Sequence, residues 1–124
     1  MSQPARKAGR GSRARSVARK LAMQAMYQWQ LTGQDAGAAA ELGLQYATSE
    51  DYAGADAEYF TDLVQNCIAR NAELDAVLGS YADRPVSQID PVERAILWLG
   101  LYELVARPDV PHRVVINEAV ELSK

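Results

Sequence analysis

DPVERAILWLGLYELVA, residues 90–106, decides how the rest of this chain is arranged. Asp90 suits a helix N-cap. Pro91 suits the first turn, where its missing N–H costs nothing, and Glu93 stands at capping-box spacing. On a helix at about 100° per residue, Ile96, Leu97, Trp98, Leu99, Leu101, Tyr102, Leu104 and Val105 point in nearly every direction. A helix apolar on all sides belongs at the centre of its fold. Glu103 lies in that apolar surround. It is either a hydrogen-bonded structural carboxylate or a functional one, and the structural reading is preferred, because a buried charge requires partners.

Upstream, SRARSVARKLAMQAMYQWQL (residues 12–31) also reads as a helix, with Ser12 as its cap and no Gly or Pro inside it. Ala14, Val17, Ala18, Leu21, Ala22, Ala25 and Trp29 form an apolar stripe. Arg13, Arg15, Arg19, Lys20, Met23, Tyr27 and Gln30 fall opposite. A charged side opposite an apolar stripe is commonly just the solvated face of an amphipathic helix. Here its sign argues otherwise. The first twenty residues hold seven basic residues (Arg6, Lys7, Arg10, Arg13, Arg15, Arg19, Lys20) and no acidic one. Like charges at this spacing repel, and a polyanion relieves the repulsion. That +7 leaves −10 on the other 104 residues, for a net charge of −3. A basic arm on an acidic body implies two partners, a polyanion for one and a basic surface for the other.

The remaining segments read as further helices. Residues 1–11, with Pro4, Gly9 and Gly11, are expected to be a disordered basic arm in the free protein. A short helix follows Asp35 and reaches Thr48, with a polar break at 49–54. Residues 55–78 show a three-four apolar spacing, weakest at 66–71 where a bend is expected, and Gly79 is expected to end the helix. Residues 80–89 connect, and a rigid turn at 107–111 leads to a last helix over 114–124. The expected fold is all-α: a compact bundle of about six helices packed around residues 91–106, as a single domain over 12–124.

The chemistry of catalysis is thin. Cys67 is the only cysteine, so no internal disulfide forms, and its apolar neighbours make it packing rather than a nucleophile. His112 is the only histidine. The paired carboxylates (Glu50/Asp51, Glu118/Glu121) sit beside no supporting motif, and no phosphate loop or metal-ligand spacing is present. No run is long enough to span a membrane, and no apolar segment follows the basic start as in a secretory signal. The expectation is a cytoplasmic binding protein without cofactor, metal or enzymatic activity. Arg side chains bind phosphates bidentately and stack on unpaired bases, which favours single-stranded RNA as the polyanion.

Five blocks then carry a resemblance that covers about residues 13–124: ARKLAMQAMYQWQ, EYFTDLVQN, LDAVL, VERAILWLGLYEL and DVPHRVVINEAVELSK, in this order. Together they resemble the NusB transcription antitermination family. The resemblance implies two packed helical sub-bundles that bind the boxA element of nascent ribosomal RNA leaders. It also implies a heterodimer with the ribosomal protein NusE, within an RNA polymerase complex that resists termination. It places RNA contacts at Arg10, Arg13, Arg15, Arg19 and Lys20, and the NusE-facing surface at Tyr27 and Glu93. Some relatives self-associate, so a homo-oligomer is compatible. The family often has a basic residue at Trp98, which here offers a stacking face or plain packing. Family members also usually continue into a further helix beyond the last block, so a C-terminal helix is expected to be missing here. Two other readings fit the same features. One is an RNA-binding domain related to that of ribosomal RNA cytosine methyltransferases, which requires a catalytic domain elsewhere. The other is a helical adaptor whose basic arm only aids solubility, which predicts salt-independent function.

Overall fold

A computed structural model describes residues 3–32 and 53–124, with side chains from residue 12 onward. Five α-helices follow one another: α1 (Gln3–Thr32), α2 (Ala57–Ala69), α3 (Asn71–Tyr81), α4 (Pro91–Ala106) and α5 (His112–Leu122), with a 3-10 turn at Val86–Gln88. No strand occurs among the described residues, and the fold is all-α. The helix expected after Asp35, and the Glu50/Asp51 pair, lie outside the described residues.

α1 starts at Gln3 rather than at Ser12. Pro4 fits a first turn, and the alanine, lysine and arginine that follow favour helix enough to carry Gly9 and Gly11. Ser12 is therefore an interior residue, and its carbonyl accepts a hydrogen bond from Ser16 Oγ at 3.1 Å. α2 is capped by Asp56, whose carboxylate accepts from the Tyr59 N–H at 3.1 Å. The expected weak point at 66–71 is a full break at Arg70 (φ −105°, ψ 18°). An asparagine stands on each side of it. Asn66 Nδ2 donates to the Asp62 carbonyl and Asn71 Nδ2 to the Ile68 carbonyl, at 2.9 and 2.7 Å. The Ile68 carbonyl, which a continuous helix would satisfy internally, is thus met by a side chain. α3 passes through Gly79 and ends at Tyr81, against the expected stop.

Asp90 caps α4 as expected, accepting from the Val92 and Glu93 N–H groups at 2.8 and 3.4 Å. The Glu93 side chain reaches Arg84 instead, at 3.4 Å. α4 packs against α1, α2, α3 and α5 and is the central element. It is not enclosed on all sides. Ala95, Ile96, Trp98, Leu99, Tyr102 and Glu103 are buried, while Leu97, Leu104 and Val105 are exposed, as are Ile116 and Val120 on α5. The open arc lies opposite the face turned to α1 and α2.

Ala18, Ala22 and Ala25 are fully buried on α1. Small side chains on that face suit the close packing of α1 against α2 and α4. Trp98 is packing and is closed to stacking with a ligand. It is fully buried, its ring centroid lies 6.1 Å from that of Trp29, and its Nε1–H donates to Asp75 Oδ1 at 2.8 Å. Cys67 is also fully buried, and burial pushes its thiol above the ordinary range.

Candidate nucleic-acid interface

The cations of α1 do not share one face. Arg13 and Lys20 are exposed and make no ion pair among the described residues. Arg19 is buried at 2 % exposure. It precedes Ala22 and Met26 by three and seven positions, so it shares their inward face. Its Nε donates to both oxygens of Glu103 at 3.1 and 3.0 Å, Nη2 lies 2.9 Å from Glu103 Oε2, and Nη1 donates to Glu118 Oε1 at 2.9 Å. The Tyr59 hydroxyl donates to Glu103, and Ser16 Oγ to Glu118. Burial alone would lower the Arg19 pKa. The hydrogen bonds and charge of Glu103 outweigh it and hold the guanidinium above its usual value. The expected RNA contact at Arg19 is therefore corrected: this side chain belongs to an internal ion pair. Glu103 is the hydrogen-bonded structural carboxylate that its apolar surround implied.

Arg15 is intermediate. Its guanidinium lies 4.3 Å over the Tyr59 ring, Nη1 donates to Asp109 Oδ2 at 3.2 Å, and Nε stands 3.9 Å from Asp56. Asp109 sits in the turn between α4 and α5. Arg107 grips it with Nε and Nη2, at 3.1 and 3.2 Å. Arg107 also holds Asp62 at 3.2 Å, and the Tyr102 hydroxyl donates to Asp62 at 2.8 Å. Arg107 first, and Arg15 after it, hold the Asp109 carboxyl below the usual carboxylate range. A cavity of about 520 Å³ opens here, lined by Ser12, Arg15, Arg19, Asp56, Asp109 and Pro111 among others. The side chain of Arg10 lies outside the described residues.

Tyr27 and Glu93 are both exposed and lie at the other end of α4. Gln30 Nε2 donates to the Pro91 carbonyl at 2.8 Å, which joins the last turns of α1 to the first turn of α4. Glu93 and Glu103 stand about 15 Å apart along the helix axis. Glu93 thus stands well away from Arg15, whereas Arg13, Lys20 and Tyr27 follow one another at seven-residue spacing along α1. Tyr59 and Asp109 lie within the blocks EYFTDLVQN and DVPHRVVINEAVELSK, but nothing in the sequence marks them, or Asp56, as the neighbours of Arg15. One signal did point inward: a carboxylate amid apolar residues at 103 requires a partner, although nothing in the sequence says which side chain supplies it.

Among the described residues no group of three or more His, Cys, Asp or Glu side chains could hold a metal. No helix there is long and apolar enough to cross a membrane.

The NusB family model matches residues 16–124. The chain belongs to the NusB family. A protein of Nitrosococcus oceani named transcription antitermination protein NusB is 46% identical over 113 residues, covering 91% of this chain and 74% of the relative. A protein of the same name from Xylella fastidiosa is 45% identical over 122 residues, covering 98% and 76%. A third, from Xanthomonas axonopodis pv. citri, is 47% identical over 110 residues, covering 89% and 67%. The family match starts at Ser16, so Arg19, Lys20, Tyr27 and Glu93 fall inside it, whereas Arg10, Arg13 and Arg15 precede it.

Proposed function

We propose that this protein is a transcription antitermination factor that binds the boxA element of nascent ribosomal RNA together with ribosomal protein NusE. In the cytoplasm the pair joins RNA polymerase and helps it resist termination, and this chain contributes binding surfaces, not catalysis. Arg10, Arg13 and Lys20 meet the RNA backbone, with Arg15 joining them under competition from its own carboxylates. Tyr27 and Glu93 face NusE. The observation that carries the RNA half is the sorting of cations on α1: Arg19 is consumed internally by Glu103 and Glu118, while Arg13 and Lys20 stand outward without carboxylate partners among the described residues. The acidic balance of the remaining chain supports a basic protein partner at the other end of α4.

The test is a fluorescence titration of boxA-containing and scrambled RNA, with and without NusE, over a range of salt. Preferential boxA binding strengthened by NusE is expected. Replacing Arg13 and Lys20 by Ala weakens binding to both RNAs and lowers the log–log salt slope by about 1.4, roughly 0.7 for each single-strand phosphate that is no longer neutralised. Binding that ignores the RNA sequence, NusE and both substitutions would sink this reading.

A further inference from the structure

Among the described cations of the candidate RNA face, Arg15 is partly exposed and already has internal partners, and the quality of that partnership decides what it does. Asp109 has two oxygens. Arg107 takes Oδ1 through Nε and shares Oδ2 through Nη2, at 3.1 and 3.2 Å, so Asp109 is held side-on before Arg15 arrives. Arg15 adds a third donor at 3.2 Å to an oxygen already in use. Its other carboxylate, Asp56, stands at 3.9 Å and spends Oδ1 on the α2 cap. The Arg15 side chain is 30% exposed and that of Asp109 50%. Exposed pairs of this kind contribute little, whereas an arginine meeting a phosphate gains charge-assisted and commonly bidentate hydrogen bonds. A guanidinium has five N–H donors, and Arg15 has spent one on a hydrogen bond. The cavity beside it gives a phosphate room to reach the rest.

We infer that Asp109 competes with the RNA phosphate for the Arg15 guanidinium, so that this pair, rather than Arg15 alone, sets the strength with which α1 holds RNA. The inference rests on the RNA-binding reading above. On binding, Arg15 passes from Asp109 to a phosphate and Asp109 stays with Arg107. The carboxylate acts as a brake on affinity and on salt dependence, located in the turn that joins α4 to α5. The opposite role, in which Asp109 orients Arg15 for the phosphate, predicts the reverse sign.

The experiment measures boxA-containing RNA binding across a salt series for the full chain, Asp109→Asn, Asp56→Asn, Arg15→Ala and the Asp109→Asn/Arg15→Ala double variant. Asp109→Asn binds roughly two- to fivefold tighter, the size of an exposed ion pair, with a salt slope steeper by up to about 0.7. Asp56→Asn keeps a capping side chain on α2 and gives a smaller gain of the same sign, so the test survives if Asp109→Asn folds poorly. The gain from Asp109→Asn vanishes in the Arg15→Ala background. A gain that persists there reflects lower negative charge alone and overturns the inference, as does weaker or unchanged binding by both Asn variants. Salt-independent binding by the unaltered protein defeats the RNA reading itself, which separates the two failures.

Discussion

Arg19, Glu103 and Tyr59 form a buried polar cluster in which every charge is answered. Removing two ions from water costs several kcal/mol each, and the mutual attraction repays this only when geometry and extra hydrogen bonds are good. Here Glu103 takes the side of one guanidinium and a tyrosine hydroxyl, and Glu118 takes the guanidinium's remaining edge. Among the described residues no buried side-chain nitrogen or oxygen lacks a partner. The asymmetry of such pairs sets the expected outcome. Glu103→Ala leaves a guanidinium buried without its main partner and should cost about 3–5 kcal/mol, and Arg19→Ala should cost a similar amount. Exchanging both for apolar residues of similar size should restore most of the loss. Urea unfolding followed by circular dichroism checks this, and single-variant losses below about 1 kcal/mol would mean the cluster does not hold α1 to α4. Glu103 was legible in the sequence, since a carboxylate amid leucines can only survive with partners. Arg19 was not, because counting charge by sign treats every cation of a basic run as facing water.

At the scale of the helices, caps were legible and ends were not. Asp90 and Pro91 fix the start of α4 by local chemistry that any fold would honour. Gly79 has the residue type of a helix stop, but a stop requires a left-handed backbone, and Gly79 has no φ in that region. α3 therefore runs on to Tyr81. At the break between α2 and α3 the Asn71 side chain reaches the Ile68 carbonyl, and residue type alone leaves that open. The open arc of α4 has the same cause: Leu97, Leu104 and Val105 advertise burial, but only neighbouring elements decide whether it happens. Gly100 gives a clean test of helical backbone. Among the described residues a Cβ there meets only Val115 Cγ1, at 3.9 Å, an ordinary contact. Gly100→Ala removes the entropic cost of a mid-helix glycine without a clash and should stabilise by about 0.5–1 kcal/mol. A thermal melt shows this as a raised midpoint. A lowered one would mean that α4 and α5 sit closer than the Val115 contact indicates.

Among the described residues one design recurs: inward-facing cations and hydroxyls are answered by carboxylates, while Arg13 and Lys20 face outward with no such partner there. The all-α class and the charge asymmetry between the basic start and the acidic remainder were readable because periodicity and net sign survive averaging along the chain. Which cation turns inward was not readable, because it depends on a carboxylate more than eighty residues away. The same design makes the fold sensitive to alkali. The Tyr59 and Tyr102 hydroxyls donate to Glu103 and Asp62, so both must stay protonated. Burial first, and the neighbouring carboxylate after it, push Tyr102 up to about 12 and Tyr59 above the ordinary range. An unfolded tyrosine ionises near pH 10. The folded values are raised, so the stabilising contribution is complete below about pH 10 and drains away as pH climbs toward about 12. Stability should then fall by up to about 1.4 kcal/mol per pH unit for each tyrosine. Urea midpoints between pH 9 and about 11 should drop for the unaltered protein and drop less steeply for Tyr102→Phe and Tyr59→Phe. Parallel curves for all three proteins would place the alkaline loss in other groups and remove these two hydroxyls from the proton linkage of folding.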